Sequence, residues 1–79
     1  MRIDKYLKVS RIIKRRTVAQ EACDAGKIFV NGRSVKPSYT LKVGDEVEVR
    51  LGTPIRLVVK SLNEKASKDE AQSLYEIQR

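Results

Sequence analysis

The chain changes period about a third of the way along. Ile3, Tyr6 and Leu7 fall at i, i+3 and i+4, the spacing of one helix face, while Arg2, Lys5 and Lys8 fall mostly off it. That predicts a short helix over residues 3–8. Ser10 can start a further turn that carries Ile12 and Ile13 inward. Val18, Ala19, Ala22 and Cys23 form a second apolar stripe. Thr17, with Gln20 three positions on, has the spacing of a capping box, so Thr17 is the expected N-cap of the second helix. Gly26 suits the position just past its end, where a positive φ is needed.

From Lys27 the pattern becomes that of strands. "KIFV" is short and β-prone, Asn31-Gly32 carries the signal of a two-residue type I′ hairpin turn, and "RSV" returns. Pro37 and Ser38 mark a loop and Gly44-Asp45 a turn. Val47, Val49 and Leu51 then alternate with Glu46, Glu48 and Arg50. After a turn at Gly52-Thr53-Pro54, Ile55, Leu57 and Val59 occupy one face of a last strand. Beyond Leu62 the chain is polar. Ser67 and Glu70 have capping-box spacing, and Ala71, Leu74 and Tyr75 suggest one side of a short terminal helix that frays or orders on a partner. The expected fold class is α+β: short N-terminal helices packed on a small antiparallel β-sheet, with a short C-terminal helix. Tyr6, Phe29 and Cys23 are expected in the core.

Composition narrows the function. There are 79 residues, 41% hydrophobic, enough for one small domain with a modest core. No apolar run is long enough to span a membrane and no signal peptide is evident, so a cytoplasmic protein is expected. Histidine is absent and Cys23 is alone. That removes the commonest general base and metal ligand, an internal disulfide and a zinc cluster. No phosphate loop, dinucleotide fingerprint or zinc-protease motif occurs. The expectation is a protein that is not an enzyme, with no cofactor and no metal.

Charge then points to a partner. Residues 1–36 hold ten Lys and Arg against three acids, and residues 37–79 hold seven against seven, so the whole net charge of +7 lies in the first half. Five of those cations (Lys8, Arg11, Lys14, Arg15 and Arg16) fall within nine positions. One-sided charge favours a polyanion-binding face, with a membrane surface, an acidic protein or plain solvation as the alternatives. With the second helix starting at Thr17, Lys14, Arg15 and Arg16 sit at its N-terminus, beside free N–H groups that attract phosphate. Arginine can grip phosphate through two N–H groups. Asp4 among Arg2, Lys5 and Lys8 either stabilises its helix dipole or orients Arg2 or a nearby arginine for phosphate binding. The four aromatics are too few for a single-strand stacking platform, and no DNA-reading motif occurs; structured RNA fits best, by elimination.

Four segments in order resemble the S4 RNA-binding domain family: "RIDKYL" at Arg2 to Leu7, "SRIIKRR" at Ser10 to Arg16, "AGKIFVNG" at Ala25 to Gly32 and "VGDEVEV" at Val43 to Val49. The resemblance covers roughly residues 1–60. It implies the αL fold, a helix–loop–helix joined to a small sheet, with the S4-type RNA-binding domain over 1–62 and a polar C-terminal tail with a short helix over 63–79. It implies an RNA contact at Arg2, Asp4 and Arg16, with Arg16 foremost, and further phosphate contacts from Lys5, Lys8, Arg11, Lys14 and Arg15. Lys27, Asn31 and Arg33 would extend the surface around the hairpin, the plain reading of Asn31-Gly32 remaining a turn.

Within the family the chain looks like the freestanding bacterial members of the ribosome quality-control branch. That implies a monomer whose partners are large-subunit rRNA and peptidyl-tRNA on obstructed large ribosomal subunits. There it would support RqcH as that protein adds C-terminal alanine tails to stalled chains. The alternatives are the family's heat-shock branch, which binds and recycles blocked large subunits, a general structured-RNA-binding protein, and the detached arm of an RNA-modifying enzyme.

Overall fold

A computed structural model describes residues 1–78. Two helices, α1 (Ile3–Val9) and α2 (Arg16–Asp24), precede a five-stranded antiparallel sheet. The strands are β1 (Ile28–Val30), β2 (Arg33–Ser34), β3 (Glu46–Val49), β4 (Ile55–Val59) and β5 (Tyr75–Ile77), in spatial order β2-β1-β3-β4-β5. The α+β expectation holds. The core lies between the helices and one face of the sheet: Ile3, Tyr6 and Leu7 from α1, Ala19, Ala22 and Cys23 from α2, and Ile28, Val30, Val47, Val49, Leu57 and Val59 from the strands. Among the described residues no helix is long and apolar enough to cross a membrane.

The start of α1 is capped from outside. Arg2, its N-cap residue, makes no side-chain cap. Instead the loop after β2 supplies carbonyls: Ile3 N–H donates to Tyr39 O at 2.8 Å and Asp4 N–H to Pro37 O at 3.3 Å. Helix α2 differs from its sequence reading. It begins at Arg16 with Arg15 as N-cap residue, so Thr17 lies inside the helix and caps nothing. The capping-box expectation fails because Gln20 is taken by a tertiary contact, donating from Nε2 to Asp4 Oδ2 at 2.9 Å. At the other end, Gly26 (φ +74°) closes α2 as expected: its N–H donates to Cys23 O and that of Lys27 to Ala22 O, the paired bonds of a Schellman motif.

The hairpin joining β1 and β2 follows local chemistry. Asn31 and Gly32 have φ of +50° and +84°, as a type I′ turn requires, and Val30 pairs with Arg33 across it. Alternation places Phe29 on the opposite face from Ile28 and Val30, half-buried, with the Arg50 guanidinium 4.2 Å above its ring. Phe29 is therefore not a core residue. Leu51 also departs from expectation: the β3–β4 ladder ends at the pair Val49–Ile55, so Leu51 belongs to the exposed reversal.

The C-terminal segment is not an α-helix. Ser67 and Glu70 do exchange capping-box bonds, Ser67 N–H to Glu70 Oε1 and Glu70 N–H to Ser67 Oγ. The chain then makes one 3-10 turn, Ala71–Leu74, and extends as β5 along the free edge of β4. Ala71 and Leu74 are buried, and the Tyr6 hydroxyl donates to Leu74 O at 2.7 Å. Pairing along an edge strand satisfies more backbone than a second helical turn would.

Candidate nucleic-acid interface

The arrangement at the helices centres on a carboxylate. Asp4 has no exposed surface, yet it is hydrogen-bonded on every side. Arg2 Nη2 donates to its Oδ2 at 3.1 Å, Arg16 Nε to Oδ2 at 3.2 Å, Arg16 Nη2 to Oδ1 at 3.4 Å and the Lys5 N–H to Oδ1 at 2.8 Å, besides Gln20. Burial alone would raise this pKa, but the bonds from Gln20, Arg16 and the Lys5 N–H outweigh it and hold the carboxyl below its ordinary value. Asp4 thus combines a helix-end contact with a hold on two arginines. It accepts a free N–H of the first turn of α1, and it orients Arg2 and Arg16.

Those two guanidiniums keep much of their surface. The side chains of Arg2 and Arg16 are 48% and 40% exposed, so each offers donors outward while its inner edge is fixed. An oriented arginine loses less freedom when it takes a phosphate than a free one would. Lys8, Arg11, Lys14 and Arg15, from the same helix–loop–helix segment, are all exposed, and none has an ion-pair partner among the described residues. The N–H groups of Arg16, Thr17 and Val18 likewise find no acceptor among the described residues, as the first turn of a helix without a side-chain cap leaves them.

Arg11 adds a backbone observation. Its φ is +63°, just past the C-cap Ser10 of α1, where glycine or asparagine would be favoured. The sequence places a long cation there instead.

The other candidates separate. Lys5 is partly buried and pairs with Glu64 at 3.2 Å, tying α1 to the C-terminal segment. Lys27 lies at the far end of α2 from Arg16 and is exposed. The amide of Asn31 is engaged at both ends, donating to Asp45 Oδ1 and accepting from the Glu46 N–H, which braces the hairpin against β3. Arg33 is exposed in the short edge strand β2. Sequence reasoning missed Gln20 as a partner of Asp4, because its position also fitted a cap.

The outer sheet face has a different character. Glu48 pairs with both Arg50 and Arg56, and Lys60 with Glu76 at 3.2 Å, so charge there is neutralised within the protein. Arg50, Arg56 and Lys60 are spent on such pairs, whereas Lys8, Arg11, Lys14 and Arg15 have no ion-pair partner among the described residues.

Known proteins share this plan. A model of the S4 domain matches residues 1–47. A protein of Streptococcus pneumoniae named RQC P-site tRNA stabilizing factor is 55% identical over 98% of this chain and 89% of its own length. Heat shock protein 15 of Escherichia coli is 35% identical over 96% of this chain but 59% of its own length. Among solved structures, the trimeric structure of heat shock protein 15 from Vibrio cholerae superposes with a TM-score of 0.91 at 29% identity, covering 99% of this chain and 81% of that one. With that family match over more than half of its residues and helices joined to the same sheet, the chain belongs to the S4 domain family.

Proposed function

We propose that this protein is a non-catalytic RNA-binding factor of ribosome quality control, of the RqcP (YabO) type. It binds large-subunit rRNA and peptidyl-tRNA on obstructed large ribosomal subunits in the cytoplasm, acting as a monomer. There it steadies the tRNA while RqcH adds alanine tails to the stalled chain. The observation that carries this reading is the pair of half-exposed guanidiniums, Arg2 and Arg16, fixed on the buried Asp4 in a segment whose other exposed cations have no ion-pair partner among the described residues. Such a constellation gains most by meeting closely spaced phosphates. Agreement with the S. pneumoniae factor over nearly the full length of both chains supports the quality-control branch, since the E. coli heat-shock relative is matched over little more than half of its length.

The test is co-sedimentation with large subunits carrying peptidyl-tRNA. Wild-type protein should bind, Arg16→Ala should bind markedly less, and affinity should fall with salt at a slope of about −0.7 to −0.9 per phosphate contact. Equal binding by Arg16→Ala, or a flat salt response, would count against the reading. The structural likeness to heat shock protein 15 favours a second reading, recycling of blocked subunits. Cells lacking the protein should then keep their alanine tails, and under the first reading they should lose them.

A further inference from the structure

The loop that caps α1 also builds a pocket. Strand β2 is only two residues long, and the chain leaves the sheet at Val35, which packs on the core. It then turns at Lys36–Tyr39, with the Tyr39 N–H donating to Lys36 O at 3.0 Å, and reaches α1 through the carbonyls of Pro37 and Tyr39. Between this turn and the hairpin lies an open concavity of about 780 Å³. Val30 and Val35 give it an apolar floor. Arg33, Lys36 and Tyr39 stand in its wall with Asn31, Ser34 and Ser38, and no acid lines it.

Its lining combines one aromatic ring with two cations. Tyr39 is 38% exposed, the most exposed ring of the molecule, and its known structural task is done by its backbone carbonyl. The ring itself makes no side-chain hydrogen bond among the described residues and lines the pocket. Arg33 and Lys36 are exposed and have no ion-pair partner among the described residues, so a phosphate beside a stacked base would meet two cations. The volume falls in the range of small-ligand pockets. The loop that forms its rim is hydrogen-bonded to Ile3 and Asp4, so the pocket adjoins the start of α1, where Arg2 is anchored on Asp4.

We infer that this pocket takes one unpaired nucleotide of the bound RNA, its base stacked on Tyr39 and its phosphate between Arg33 and Lys36. The inference rests on the RNA-binding reading above and adds to it a preference for RNA that can extrude a base. Stacking on one ring suits any base, so the preference is for an unpaired nucleotide rather than for a sequence.

The experiment measures binding of the full chain to two labelled RNA hairpins by fluorescence anisotropy. One stem is fully paired, and the other is identical except for a single unpaired nucleotide. Wild-type protein should prefer the second by about fivefold or more. Tyr39→Leu should abolish that preference while leaving affinity for the paired stem in place, and Tyr39→Phe should retain it. Arg16→Gln should weaken both RNAs. Equal affinity of the wild type for the two stems, or a Tyr39→Leu effect that is equal on both, overturns the pocket and leaves the wider reading standing. An Arg16→Gln variant that binds both RNAs normally overturns the wider reading, and the pocket with it. If the pocket held a protein segment instead, Tyr39→Leu would change no RNA affinity, which also overturns the inference.

Discussion

Arg16 reaches Asp4 across twelve positions of sequence and bonds both of its carboxylate oxygens, joining the first turn of α2 to the first turn of α1. The contact fixes the angle at which the two helices present their cations. It also couples the stability of the helix pair to the shape of the basic face proposed to meet RNA, which gives the first prediction.

Asp4→Asn should destabilise the protein by about 1–3 kcal/mol in urea unfolding, the usual cost of losing charge-assisted hydrogen bonds, reduced here because both arginines reach solvent. It should also weaken large-subunit binding, although it removes a negative charge from a basic face. If Asp4 acts by orienting Arg16, adding Arg16→Ala to Asp4→Asn should cost less binding than Arg16→Ala does alone. Strict additivity would mean that Asp4 does not orient Arg16.

The pH dependence follows from two groups of opposite sign. The Asp4 pKa is lowered in the folded protein, so its contribution is present above the ordinary value of 3.8 and is lost as pH falls through the depressed folded value. The stability gap between wild type and Asp4→Asn should therefore narrow on acidification. Burial pushes Cys23 up from 9.0 to about 11, with Asp4 and Asp24 adding to the shift. The stability held by its neutral thiol is complete below about pH 9 and is lost as pH rises toward 11. Tyr6, also raised by burial, adds to the alkaline loss above pH 10. Unfolding midpoints of Cys23→Ala should fall less between pH 8 and 11 than those of the wild type, by up to about 2–3 kcal/mol in stability. Parallel curves would show that the thiol titrates normally.

Arg11→Gly separates stability from binding. At φ +63° a side chain costs about 1 kcal/mol, and glycine returns part of that in unfolded-chain entropy. The variant should fold as well as the wild type or up to about 1 kcal/mol better. It should nonetheless bind large subunits more weakly, with the salt slope reduced by about one contact. Undiminished binding would remove Arg11 from the interface.

These sites show what could be read from the chain and what could not. Features set within a few residues were legible: the helix face of Ile3, Tyr6 and Leu7, the glycine after α2, and the Asn31-Gly32 turn. Phe29 was legible too, because a residue between Ile28 and Val30 must face away from them in a strand, and only its aromaticity suggested the core. Gln20 was not legible, since its choice between a cap and Asp4 depends on how α1 and α2 cross. Neither was β5. Ala71, Leu74 and Tyr75 keep helical spacing, and the edge of β4 that draws out Tyr75–Ile77 exists only once the sheet is built. The clustering of Arg2 with Arg16 had a trace in the sequence, the lone acid among basic residues at the start of α1, but its burial did not.

The latch between Tyr6 and Leu74 yields the last prediction. Leu74 O accepts from the Tyr6 hydroxyl at 2.7 Å and from the N–H groups of Lys60 and Ser61 at 2.8 and 3.2 Å. One carbonyl thus gathers α1, the end of β4 and the start of β5. Tyr6→Phe keeps the ring in the core and removes only the hydroxyl, and the carbonyl keeps its two backbone donors. The expected loss is therefore small, about 1 kcal/mol. It should not be spread evenly. Strand β5 is held by three residue pairs along one edge, whereas α1 is held by the whole core. Hydrogen exchange should accelerate at the β5 amides that pair with β4, while those within α1 change no more than the global stability does. Uniform acceleration in both places would mean that the hydroxyl supports the core as a whole and does not serve as a local tie for the C-terminal strand.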